Sequence, residues 1–262
     1  MIRNYLFYFL IYAFIGWCAE VVYAALTTGK FVNRGYLSGP YCPIYGLGLI
    51  FVLMSLYNLK DNKILLFLGS VIITTILEFL VGWFLEKVFH QSFWDYSDRP
   101  FNIKGYVCLQ FSIMWGIGCM FIIDYLHPTV ELIYHIIPSI ITTIFLIAGT
   151  VSILVDTIIS TNSILKLNRE LKRLHEISNR LKEISDDLGE GLAKTFIDVK
   201  KDAEETKDRI EALREERRVL LIDRKEKIAK NSKKRRRMIK ALPSWIHREF
   251  QNELEELKER FQ

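Results

Sequence analysis

Five stretches of the chain are apolar for long enough to cross a bilayer, which takes about 20 residues of helix. They are Tyr5–Leu26, Tyr41–Tyr57, Ile64–Phe89, Tyr106–Tyr125 and Ile133–Ile159. The second is short and the third is long enough to tilt. Beyond Ile159 the pattern changes character. Leu167, Leu171, Leu174, Ile177, Leu181, Ile184 and Leu188 recur three and four apart among charges, the seam of a coiled-coil helix. Gly189 and Gly191 interrupt it, and Leu192, Phe196, Val199, Ala203, Thr206, Ile210 and Leu213 form a second seam. Two seams around a Gly-x-Gly break predict a helical hairpin or a kinked rod; a single solvated helix is the plainer alternative.

The pattern therefore predicts an all-α membrane protein of about five transmembrane helices with a coiled-coil-like helical tail. The transmembrane domain covers 1–159 and the tail 160–262. Within the first part the sequence repeats itself. Gly16-Trp17 with Glu20 aligns with Gly82-Trp83 with Glu86, Arg34-Gly35-Tyr36 with Lys104-Gly105-Tyr106, and Tyr45-Gly46 with Trp115-Gly116. The units are about 5–57 and 64–126, followed by a fifth span at 133–159. A unit with two spans returns to its starting side, so the copies are expected to be parallel repeats about an axis along the membrane normal.

Charge sharpens the division. The chain has 262 residues and a formal net charge of +5. Before Ser160 its only basic residues are Arg3, Lys30, Arg34, Lys60, Lys63, Lys87, Arg99 and Lys104. The basic residues near the 27–40 and 90–105 loops, together with the basic tail, place that side in the cytoplasm and the N-terminus outside, in a multi-pass cell-membrane protein. Lys233, Lys234, Arg235, Arg236 and Arg237 lie within a basic block at 233–240. If the seams fold back, the block returns to the membrane surface, where anionic headgroups are its natural partner. Nucleic acid ranks well below lipid or protein, because no zinc, helix-turn-helix or RNA-binding motif accompanies the charge.

Candidate chemistry is sparse. Intramembrane ionisable groups are costly and mark function by default. Glu78 lies mid-span and is expected to be partly neutral, or bonded to a cation or polar ligand. Glu20 and Glu86 lie near the cytoplasmic ends of their helices, where capping or pairing with Arg34 and Arg99 is an equal alternative. The loop residues Asn33, Arg34 and Tyr41, with Trp94, Asp95, Tyr96 and Arg99, suit either a substrate rim or a headgroup-level belt. No phosphate-binding loop, H-E-x-x-H or G-x-S-x-G is present, so no catalytic set, metal site or cofactor is expected. Cys18, Cys42, Cys108 and Cys119 have no metal spacing and read as buried thiols.

At these residues the chain resembles the bacterial ABC-transporter permease family known as ABC-transporter type IV, or CmpB-like. The resemblance rests on three groups of residues: Gly16-Trp17 with Glu20; Asn33-Arg34-Gly35 with Gly39-Pro40-Tyr41-Cys42-Pro43-Ile44-Tyr45-Gly46; and Trp94-Asp95-Tyr96-Ser97 with Pro100-Phe101-Asn102. It covers roughly 1–130 and implies a membrane subunit for transport, without naming a substrate. The leading expectation is thus a transport subunit for a lipid or other amphiphile, with a separate ATPase docking on the tail. The alternative is a membrane-anchored scaffold that recruits partners, or a second copy of itself, through the coiled coil. An intramembrane enzyme working on a lipid headgroup is a third reading, with no nucleophile or metal set behind it.

Overall fold

A computed structural model of the chain describes residues 2–197, 203–229, 236–239, 246–247 and 249–261. Its elements are α1 (Ile2–Thr28), α2 (Pro43–Leu56), α3 (Lys63–Phe89), β1 (Gln91–Ser92), β2 (Asn102–Ile103), β3 (Val107–Cys108), α4 (Leu109–Phe121), α5 (His127–Ile136), α6 (Ser139–Ile197), α7 (Ala203–Ala229), β4 (Ile246–His247) and α8 (Gln251–Phe261). The protein is all-α apart from the two-residue strands. Four helical stretches among the described residues are long and apolar enough to span a membrane: Ile2–Thr28, Lys63–Phe89, Leu109–Ile136 and Ser139–Glu190. The expected second span is a shorter apolar helix, Pro43–Leu59, whose last three residues form a 3-10 turn.

Two features depart from the sequence pattern. The segment 126–132, expected as a loop, is helix. A π turn at Ile122–Leu126 leads from α4 into α5, with Pro128 in the first turn of α5. Proline lacks an N–H and clashes with the carbonyl one turn back; the widened turn absorbs both without ending the helix. The chain reverses instead at Ile137–Pro138, and the last span starts at Ser139. Further on, Gly189 and Gly191 do not break the tail. Helix α6 runs through both to Ile197, since a helical glycine costs only about 1 kcal/mol against alanine.

The chain divides into two compact units. The first comprises Met1–Ile164 with Arg237–Arg248. Its core joins Phe7, Leu10 and Tyr12 of α1 to Leu49, Val52 and Leu53 of α2, with Leu66, Cys119, Ile123, Val130 and Leu146. Helix α3 shows how its surface is arranged. Ile72, Ile76, Leu80 and Phe84, four residues apart, are exposed, whereas Leu66, Ser70, Glu78 and Gly82 on the opposite stripe are buried. Apolar side chains out and polar ones in is the arrangement that lipid, not water, stabilises.

The second unit comprises Leu165–Arg236 with Glu249–Gln262. The first seam is buried at Leu167, Leu171, Leu174, Ile177 and Ile184, as are Leu254 and Leu257 of α8. Arg180 pairs with Glu216 at 2.8 Å and Asp187 with Arg209 at 3.9 Å. The partners run in opposite order along the chain, so α6 and α7 lie antiparallel here. His175 meets Glu253 at 3.0 Å and Arg224 meets Glu256 at 2.8 Å, tying α8 to both.

Candidate functional site

The loop between α1 and α2 is held by its own backbone and by three helices. The Cys42 N–H donates to the Ala13 carbonyl at 2.8 Å, bringing the start of α2 against the middle of α1. Asn33 accepts from the Trp17 indole and donates to the Ser38 carbonyl, both at 2.7 Å. Glu20 accepts from the Tyr45 hydroxyl at 2.6 Å, and the Arg34 Nε lies 3.7 Å from its other oxygen. Arg34 also stands over the Tyr23 ring. Asp156 of α6 accepts from the Gly39 N–H at 2.6 Å, and Tyr36 meets the Thr161 hydroxyl. Of the sequence candidates, Glu20, Asn33 and Arg34 are thus brought to one loop. Tyr41 lies beside them, its N–H on the Gly39 carbonyl.

Arg237 also belongs to this unit. Its guanidinium donates to the Ser38 hydroxyl at 2.7 Å and to the Leu37 carbonyl. Burial lowers the pKa of Arg237, and the nearby Asp156 carboxylate opposes that shift. Burial likewise lifts the Tyr36 phenol above its ordinary value, against the Thr161 hydrogen bond and with a smaller push from Asp156. Strand β4 pairs antiparallel with β1, setting Gln91 opposite His247 and Ser92 opposite Ile246. Arg237 thus touches the first loop and Ile246–His247 the second. Lys233, Lys234 and Arg235 lie outside the described residues; Arg236 is exposed.

The second loop folds around Asp95 and Asn102. Asp95 accepts from the N–H and the hydroxyl of Ser97, at 2.9 and 2.5 Å. Asn102 donates to the carbonyls of Ser97 and Arg99 and accepts from the Gly105 N–H. Gly105 has φ +73°, and a Cβ there would sit 2.3 Å from the Asp95 carboxylate. Asp95 therefore builds a turn. The backbone N–H of Arg99 donates to the Tyr96 carbonyl at 2.8 Å. Trp94 donates to the Tyr106 carbonyl at 2.8 Å, and Ser92 donates to Glu86 at 2.7 Å.

Tyr96 leaves this turn for the bundle. Its ring stacks on Phe111 at 4.7 Å and its hydroxyl donates to Glu78 Oε1 at 3.3 Å. The Trp115 indole lies alongside. Glu78 is 8 % exposed, yet its Oε2 is buried with no hydrogen-bond partner. Tyr45 and Trp115, which the sequence alignment pairs, meet edge to face at 5.2 Å. Glu78 heads a polar seam between α3 and α4. Below it Thr75 donates to Ser112 at 2.8 Å, Ser70 is beside Cys119, and Lys63 pairs with Asp124 at 2.6 Å. Asp156 and the Thr75–Ser112 pair were not singled out from the sequence, and Tyr45 and Trp115 were named there for the repeat and the family pattern, not as site residues. The seam had a signal: Ser70, Thr74, Glu78 and Gly82 recur every four residues in an otherwise apolar span. No group of three or more His, Cys, Asp or Glu able to hold a metal occurs among the described residues.

Inward-facing polar groups inside lipid-facing helices define an all-α, multi-pass membrane protein. The chain belongs to the family described as "Putative ABC-transporter type IV", whose model matches residues 7–161. It is accordingly a transport-related membrane component. No curated protein and no solved structure matches the chain.

Proposed function

We propose that this chain is the membrane subunit of a transport system for a lipid or other amphiphile, and that its ATPase is a separate polypeptide docking on the helical tail. The observation that carries this reading is Glu78: a carboxylate more than nine-tenths buried in a seam between lipid-facing helices, with one oxygen unpartnered. A pure scaffold has no use for such a group, because an unsatisfied buried polar atom costs stability. The lack of any phosphate-binding loop in the sequence supports a separate ATPase.

The N-terminus lies outside and the tail in the cytoplasm, a reading supported by Lys30, Arg34, Lys87, Arg99 and Lys104 near the two long loops. The two helix pairs α1–α2 and α3–α4 descend from one duplicated parallel unit. Exposed members of the 233–240 block meet anionic headgroups, at about 1 kcal/mol per residue near the surface, and the coiled-coil tail is the contact for a second copy. The test is purification of the tagged full chain from its native membranes. An ATPase that accompanies it, and is lost when the tail is deleted, is the expected result. A chain that arrives with structural partners alone, and no ATPase, returns the scaffold reading. Cysteines introduced at Ser38 and Ser97 should label from the cytoplasm and one at Asn62 from outside.

A further inference from the structure

We propose that Glu78 is an exchangeable proton site, loaded from the loop face through the Tyr96 hydroxyl, so that this chain couples its work to proton uptake. The inference rests on the transport reading and adds its coupling chemistry. Three observations carry it. The first is the isolated Oε2 atom, enclosed and without a partner. An ionised carboxylate in that setting is poorly compensated, and a proton is the smallest species that removes the charge.

The second is the character of the neighbours. The Tyr96 hydroxyl donates to the carboxyl group and the Trp115 indole lies alongside; neither a phenol that donates nor an indole N–H is a metal ligand here. Hard cations need six or more oxygen ligands, whereas no acidic or His/Cys cluster of three exists among the described residues. The site therefore suits a carboxyl that alternates between charged and neutral, not a bound metal ion.

The third is the route. Tyr96 is anchored in the second loop by its backbone, the N–H on the Gly105 carbonyl and the carbonyl on the Arg99 N–H. Its hydroxyl thus bridges the loop and the seam. In one concerted hop the Tyr96 O–H bond breaks as its proton joins Glu78, and the phenol oxygen takes a proton from a hydronium ion of the aqueous loop face, which leaves as water; no electron moves. The charged and titratable groups around the pair are few. Glu20 from α1 faces it, held by Arg34 and by Tyr45 of α2, and Cys108 lies near Tyr96.

The test is infrared difference spectroscopy on the full chain in liposomes, wild type against Glu78→Gln. The expected result is a protonated-carboxyl band at mildly acidic pH that vanishes at mildly alkaline pH and is missing from the variant. Tyr96→Phe should keep the band but slow its deuterium shift roughly tenfold, the rate equivalent of one lost neutral hydrogen bond. Thermal unfolding of each variant shows that it is folded. No Glu78 band at mildly acidic pH overturns the proposal, and so does a band unmoved by alkali, which marks a fixed neutral acid. A Tyr96→Phe exchange rate equal to wild type overturns the route. None of these readouts uses an ATPase, so their failure is separate from failure of the transport reading.

Discussion

The two helix pairs that the sequence aligns as copies close in the same way but carry different interiors. In α1–α2, a Cβ on Gly16 would fall 2.4 Å from the Tyr45 ring, and one on Gly46 would fall 2.7 Å from Phe9. In α3–α4, a Cβ on Gly116 would fall 2.4 Å from Val71. Both pairs rely on glycine for close backbone approach, as helices in lipid do. Yet the place of Glu78 is taken in α1 by Tyr12, whose hydroxyl bonds the buried His127 at 2.8 Å. The first pair has its acid, Glu20, beside the loop, where Tyr45 and Arg34 satisfy it. The second has Glu86 beside its loop, where Ser92 donates to it, and a further acid, Glu78, mid-span with an oxygen to spare. One half is built for anchorage and the other retains an unsettled group, which is where a working site is expected.

The largest effects should come from filling the shared close approaches. Gly16→Leu and Gly116→Leu should each destabilise by about 3 kcal/mol or more, because the contact is with packed rings or a branched side chain that cannot retreat. Gly118→Ala is the control: nothing lies within 4 Å of its Cβ, and the change should stabilise by up to about 1 kcal/mol. Thermal unfolding in detergent reads all three. Equal tolerance at Gly16 and Gly118 breaks the account of how the pairs close.

Next are the seam hydroxyls. Thr75→Val and Ser112→Ala should each cost about 1–2 kcal/mol by stranding the partner, and the double variant should cost less than their sum. Strict additivity would mean that the two groups do not interact. Glu20→Gln and Arg34→Gln should each cost about 1 kcal/mol or less, since their pair is partly exposed. The smallest effect belongs to Arg237→Gln, about 0.5–1 kcal/mol. Its readout is faster amide exchange at Leu37 to Gly39, with no change at Thr75.

Much of this was legible in the sequence, for a physical reason. Lipid makes the exterior of the helices apolar, so spans stand out and a lone acid such as Glu78 is conspicuous. Tyr96 and Asp95 stood in one candidate loop, but only their geometry separates the residue that reaches the seam from the one that builds the turn. Asp156 was missed because no spacing links it to Gly39, 117 positions away. The helix through 126–132 was missed because Pro128 reads as a terminator unless a π turn precedes it. The tail seams were visible, but glycines that signal a break in isolation are carried by a helix packed along one face.

The most direct measurement compares Glu20→Gln and Glu78→Gln side by side in the full chain purified with the ATPase proposed to accompany it, reading melting temperature and ATP hydrolysis. A crossed result is expected. Glu20→Gln lowers the melting temperature as the first loop loosens, whereas Glu78→Gln holds or raises it while impairing hydrolysis. If Glu78→Gln instead unfolds the protein, or leaves hydrolysis intact, the two acids are equivalent structural groups and the claimed division between the halves is wrong.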